Sequence, residues 1–234
     1  MSRERVRAFA HLCQHQRTAM TDQKRSYRMQ RRAELQEETR RRITESAVEL
    51  HGTIGPAQTS MSAVAARAGV RRSTLYRHFP NEAALFDACS ARWAAANPPP
   101  DPRAWAAVRD PDERLRAALH ELYAYYRRNE AMLDNLFRDE KAVPSVAERF
   151  AAFRGYLGAA VEALMTGRAP RGAHRRRTAA VVGHAVAYST WKSLAAEQGL
   201  SDSEACELMC SLVSPAAPPD RPRRGRSRPI ARPS

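Results

Sequence analysis

Apolar residues along this chain recur at intervals of three and four, the spacing that lines one face of a helix, and runs with an interval of two are missing. Ile43, Ala47 and Leu50 stand at i, i+4 and i+7, which predicts a helix over about residues 28–51, ended by Gly52 and Gly55-Pro56. Met61, Val64, Ala65 and Ala68 predict a second over about 62–68, broken by Gly69, and a third short helix follows over about 73–79. Asn81 is a good N-cap for a fourth, to about residue 96, whose inward set is Leu85, Phe86, Cys89 and Trp93. Beyond it the same spacing predicts helices over about 110–129, 130–141, 145–165, 174–198 and 201–213.

The expected fold is therefore all-α. The best internal boundary is the proline cluster in NPPPDPRAW, residues 97–105, because consecutive prolines cannot sit inside a helix. Four segments follow: a flexible basic N-terminal extension over 1–26, a helical domain over 27–96, a second helical domain over 97–213, and a disordered Pro/Arg-rich tail over 214–234. Met20 and Met29 are alternative translation starts to Met1.

Charge sharpens this division. The chain carries a net +14, of which residues 1–42 hold 12 Lys/Arg against 5 Asp/Glu, and residues 215–234 hold 6 Arg against 1 Asp. Basic ends on a nearly neutral body point to a polyanion partner, with nucleic acid first. No stretch is apolar and long enough to span a membrane, and no apolar segment of signal-peptide length follows the basic N-terminus, so the expected location is cytoplasmic and nucleoid-associated. A Gly-rich phosphate loop, GxSxG and HExxH are all missing, and Cys13, Cys89, Cys206 and Cys210 have no zinc spacing. The chain is expected to have no catalytic residues, no metal and no cofactor.

The most informative stretch is AARAGVRRSTLYRHF, residues 65–79. Two short helices joined at Gly69-Val70 form a helix-turn-helix, with glycine where the backbone turns left-handed. Leu75 and Phe79, one turn apart, would dock the third helix. Its other face is then free and carries Arg71, Arg72, Ser73, Thr74, Arg77 and His78, with Tyr76 at the border. Such a face suits the major groove of DNA: arginine can make a bidentate contact to guanine, worth about 1–3 kcal/mol of discrimination, while hydroxyl and imidazole groups reach phosphates.

These residues resemble the DNA-binding domain of TetR/AcrR-type transcriptional regulators. The likeness spans about residues 35–90 and rests on Thr59-Ser60-Met61-Ser62-Ala63-Val64-Ala65-Ala66-Arg67-Ala68-Gly69-Val70, then Ser73-Thr74-Leu75-Tyr76-Arg77-His78-Phe79-Pro80, then Leu85-Phe86. It implies an all-α homodimer with an N-terminal three-helix unit on operator DNA and a C-terminal helical bundle that dimerises and binds a small effector. Carried over by position, it places Thr59 and Ser60 near phosphate. Ser62, Arg71, Arg72, Ser73 and Arg77 would face bases or backbone, and Thr74, Tyr76 and His78 would grip the backbone. Two positions depart from the family's usual pattern. Arg71 stands where a capping serine is common, and Glu82 where a lysine is common, which removes one expected phosphate contact. The basic arm, especially Arg40, Arg41 and Arg42 and the residues before them, is expected to compensate by general attraction to DNA.

The rest of the chain names no ligand. His120, Tyr123, His184 and Tyr188 are the candidate effector contacts, His184 and Tyr188 because they fall four apart on one expected helix. Small residues Ala179, Ala180, Gly183 and Ala187 suggest a close-packed dimer seam between the last two long helices. The expected function is a ligand-responsive repressor on a palindromic operator in double-stranded DNA. The alternative is a nucleoid-type protein that uses its basic termini without sequence preference.

Overall fold

A computed structural model describes residues 3–168 and 171–213, with side chains from Arg25 onward. The expected tail over 214–234 lies outside the described residues. Eleven helices follow one another among them: α1 (Arg3–Thr53), α2 (Met61–Arg67), α3 (Arg72–His78), α4 (Glu82–Ala96), α5 (Pro102–Trp105), α6 (Pro111–Arg128), α7 (Glu130–Asp139), α8 (Pro144–Met165), α9 (Gly172–Ala185), α10 (Tyr188–Trp191) and α11 (Asp202–Val213). A 3-10 turn (Pro56–Gln58) precedes α2 and a π-helical segment (Lys192–Glu197) follows α10. Among the described residues there is no strand, and the fold is all-α with an N-terminal helix-turn-helix.

The first helix is longer than its apolar spacing predicts. Residues 1–26, expected to be a flexible extension, are helical from Arg3 on. Composition explains this: no glycine or proline occurs before Gly52, and Arg, Gln, Glu, Ala, Leu and Met all favour helix. An apolar period reports where a helix is packed, not how far it runs. Residues 25–38 of α1 are exposed throughout.

The chain folds into two compact units, and it passes between them three times. The first comprises residues up to Pro98 together with Glu130–Phe150. Ile43 and Ala47 of α1, Val64 of α2, Leu75 and Phe79 are all fully buried there, with Leu85, Phe86 and Cys89 of α4 nearly so. The helix ends are satisfied locally: Ser60 Oγ accepts from the Ala63 N–H at 3.1 Å, and Asn81 Oδ1 from the Ala84 N–H at 2.9 Å.

Helix α7 closes this unit against the end of α1. Asn135 donates to the His51 carbonyl at 2.9 Å, Arg138 to the Ile54 carbonyl at 2.9 Å, and buried Asp139 accepts from the Ala57 N–H at 2.9 Å. Gly55 lies under Arg138 and Asp139 with φ +92°, so a side chain there would meet both strain and collision. Three residues of α7 thus fix the turn that leads into α2.

The second unit comprises Pro99–Asn129 and the chain from Ala151 on. Tyr123, Tyr126, Tyr188 and Trp191 form its aromatic centre, with Tyr126 edge-on to Tyr188 at 5.4 Å between ring centroids. Trp191 Nε1 donates to Asp202 at 2.9 Å, and Arg127 binds the same carboxylate at 2.7 Å, tying α6, α10 and α11 together. Arg114 is buried, and its guanidinium donates to the carbonyls of Val108, Arg109 and Thr166 at 2.6–3.2 Å.

The helix expected over 174–198 is interrupted. α9 stops at Ala185, Ala187 is extended (φ −73°, ψ 138°), and α10 begins at Tyr188. The break frees carbonyls, and side chains from the same unit take them up. Tyr123 donates to the Ala185 carbonyl at 2.9 Å, Tyr126 to that of Val186 at 2.6 Å, and Thr190 to that of His184 at 2.6 Å. These donors, distant in sequence or placed after the break, make an interrupted helix as well satisfied as a continuous one. Spacing alone cannot reveal that. α11 opens as expected on Ser201, in a reciprocal cap: Ser201 Oγ accepts from the Glu204 N–H at 3.2 Å, and Glu204 accepts from the Ser201 N–H at 2.8 Å.

Candidate nucleic-acid interface

The turn between α2 and α3 sets the geometry of the site. Gly69 has φ +64°, the left-handed conformation that a side chain disfavours, and the Val70 N–H returns to the Ala65 carbonyl at 3.0 Å. α3 then leaves α2 with Leu75 and Phe79 inward, both at zero exposure. Burying these two side chains contributes about 1.5–3 kcal/mol each. Arg71, Arg72, Ser73, Tyr76 and Arg77 are exposed on the outer side, with Thr74 and His78 half-buried.

The exposed groups are not all equally free. Arg72 donates to the Tyr76 hydroxyl at 3.3 Å, and its guanidinium lies 5.5 Å from the centre of that ring. Arg71 occupies the N-cap of α3 with no side-chain capping bond, so the helix lacks the support a serine would give. His78 has its Nε2 covered, with no hydrogen-bond partner among the described residues, and burial, with Arg77 and Arg40 nearby, holds its pKa below the usual range.

At the start of α2, Thr59 is half-buried and donates its hydroxyl to the Gly55 carbonyl at 2.8 Å. Ser60 is exposed, with its oxygen accepting the helix cap and its hydroxyl proton left to donate; Ser62 is exposed beside it. A hollow of about 550 Å³ opens here, floored by His51, Met61, Val64 and Phe86 and rimmed by Ser60, Tyr76 and Glu82. Glu82 therefore brings negative charge to the rim, while favouring the N-terminus of α4.

Two arginines of the basic arm have other work. Arg40 donates to the His78 carbonyl at 2.9 Å and lies over the Phe79 ring at 4.2 Å, so it anchors the end of α3 to α1. Arg41 is held between Glu38 and Glu45 at 2.7–2.9 Å. These contacts hold both guanidinium groups in place on the first unit. A run of three arginines reads alike from the sequence, because the partners that separate them lie one turn or thirty-eight residues away.

The candidate effector contacts are placed as follows. Tyr123 and Tyr188 are buried, Tyr123 bound to the Ala185 carbonyl and Tyr188 within the aromatic centre. His120 and His184 are exposed, and His184 meets Thr190 at 3.2 Å. The helix break falls between His184 and Tyr188, so they do not share one helical face. Among the described residues no group of three His, Cys, Asp or Glu side chains could hold a metal, and no helix is long and apolar enough to cross a membrane.

An exposed, arginine-rich helix held at a fixed angle by a glycine turn defines a helix-turn-helix protein. Residues 43–89 match the family model of bacterial regulatory proteins, tetR family. Residues 43–89 thus match the domain that defines this family, and the chain shares the fold of solved TetR-like regulators. It is similar to a TetR-like transcriptional regulator from Rhodococcus sp. RHA1, with a TM-score of 0.55 and 21% identity over 75% of this chain and 93% of that one. It is similar also to NalD, the secondary repressor of the MexAB-OprM multidrug efflux pump in Pseudomonas aeruginosa, with a TM-score of 0.51 and 19% identity over 77% and 95% of the two chains. No curated protein matches the chain by sequence.

Proposed function

We propose that the protein is a homodimeric, sequence-specific transcriptional repressor that leaves its operator when a small molecule binds its second unit. It works in the cytoplasm and catalyses no reaction. The observation that carries this reading is the two-sided α3: Leu75 and Phe79 fully buried, Arg71, Arg72, Ser73 and Arg77 exposed as one surface. A helix fits the major groove, and its N-terminal residues, here three polar side chains in a row, are those that reach base edges. Ser60, Tyr76 and Thr74 supply the hydroxyls that set its register on phosphates. Two such helices related by a two-fold axis would read half-sites about one helical turn apart, roughly 34–36 Å or somewhat more. Effector binding would favour a spacing that no longer fits.

The test is selection of bound duplexes from a random DNA pool at near-physiological salt, followed by sequencing. The expected result is an imperfect palindrome, bound about 10³-fold or more above bulk DNA. Binding without an enriched motif, vanishing as salt rises, would instead support nonspecific coating by the basic ends.

A further inference from the structure

One stripe of α1 changes character along its length. Arg25, Arg28, Arg32, Gln36, Thr39, Ile43, Ala47 and Leu50 follow each other at steps of three and four, so they lie on a single face of one continuous helix. From Ile43 on, that face is apolar and packed: Ile43 and Ala47 have no exposure. Thr39 is half-buried and marks the edge of the packed region. Before it the same face is exposed and becomes basic, with Arg31 beside it, and no carboxylate stands anywhere from residue 23 to 33. Acidic residues resume only at Glu34, Glu37 and Glu38, whose positions fall off this stripe.

The place where the helix leaves the packed unit is defined. Arg40 bonds the His78 carbonyl at the end of α3 and covers Phe79, so the overhang starts beside the end of the DNA-reading helix. From Arg40 back to Arg25 the helix rises about 22 Å at 1.5 Å per residue. That is roughly six base pairs of duplex at 3.4 Å each.

Resting on the DNA-binding reading above, we propose that Arg25, Arg28, Arg31 and Arg32 form a second DNA contact, a rail that grips the phosphate backbone outside the half-site read by α3. Charge complementarity selects the occupant. A second helix would need an apolar seam, but the exposed Tyr27, Met29 and Leu35 are spaced two and six apart and point to different sides. A membrane surface would need an apolar face opposite the charges, and the same three positions fail to make one. Held along the phosphate backbone, the rail does not face base edges. It adds affinity and length of contact and leaves sequence preference to α3.

The experiment compares the full chain with a variant carrying Arg25→Gln, Arg28→Gln, Arg31→Gln and Arg32→Gln, since glutamine sustains helix nearly as well as arginine. A control carries Arg176→Gln and Arg177→Gln, exposed arginines in the second unit. Each is titrated on the selected duplex over a range of salt, with hydroxyl-radical footprinting and circular dichroism. Every phosphate that the protein neutralises adds about 0.9 to the steepness of log K against log salt. The expected result for the quadruple variant is a slope shallower by about 2–4 per protomer, protection retracted by several base pairs at both outer ends, and an unchanged motif. An unchanged slope and footprint, or an equal change in the control, overturns the rail while leaving the DNA-reading assignment intact. Failure of the wild-type chain to enrich any motif overturns that assignment instead, whatever the slopes.

Discussion

At the scale of single residues, the reading helix trades stability for reach. Arg71 leaves the N-cap of α3 without a side-chain acceptor. Arg71→Ser should therefore raise stability by about 0.5–2 kcal/mol in urea unfolding and weaken DNA binding at the same time. Arg72→Ala should relax base preference in the selection experiment, whereas Tyr76→Phe should weaken binding evenly across sequences and leave the motif as it was. His51 gives the first unit a pH dependence. Burial depresses its pKa to about 4, against a smaller opposing pull from Asp139. With the folded value below the ordinary 6.5, the unfolded chain takes up the proton first. Stability is thus fully present above about pH 6.5 and falls between there and pH 4, by up to about 3 kcal/mol. Unfolding midpoints at pH 7 and about pH 4.5 should converge in His51→Leu relative to wild type. An undiminished pH response in that variant would assign the effect to other groups.

At the scale of elements, spacing in the sequence is a good guide wherever a helix packs through one stripe. The bounds of α2, α3, α4 and α11 follow from Met61 and Val64, Leu75 and Phe79, the Asn81 cap and the Ser201 cap. It fails where a partner distant in sequence decides the outcome. Small and β-branched residues over 179–187 read as uninterrupted helix, but the hydroxyls of Tyr123 and Tyr126 stabilise a break there. Tyr126→Phe would leave the Val186 carbonyl without its donor in a buried site, at a cost of about 1–3 kcal/mol. Thermal unfolding should register this as a clear fall in midpoint, and an unchanged midpoint would mean that the break does not need the tyrosine. The two-sided character of α3 is legible for the opposite reason: a short helix with both its apolar and its polar residues in one unbroken run needs no distant information.

At the scale of the whole molecule, two protomers are needed for two half-sites. Leu208 and Leu212 stand one turn apart on α11 with exposures of 41% and 55%, an apolar pair turned outward. On the proposed dimer they belong to the seam, alongside the small residues of α9. Leu208→Glu combined with Leu212→Glu should give a monomer in ultracentrifugation and bind palindromic DNA only at far higher concentration. A dimer that persists in that variant would move the seam elsewhere. Arg127 and Trp191, both bound to Asp202, should keep the second unit folded in the variant, which circular dichroism would check.

The course of the chain, which returns to the first unit at Glu130–Phe150, also imposes an order of events during synthesis. When α4 has emerged, the turn before α2 still lacks Asn135, Arg138 and Asp139. Roughly forty further residues must be made before they arrive, an interval of about 2–9 s at about 5–20 residues per second. For that time the nascent reader exists without its clamp, and the stretch translated in between belongs to the other unit. Maturation of the reading surface is therefore paced by the ribosome, and a protease or chaperone acting in that window meets a different surface from the one the finished protein presents.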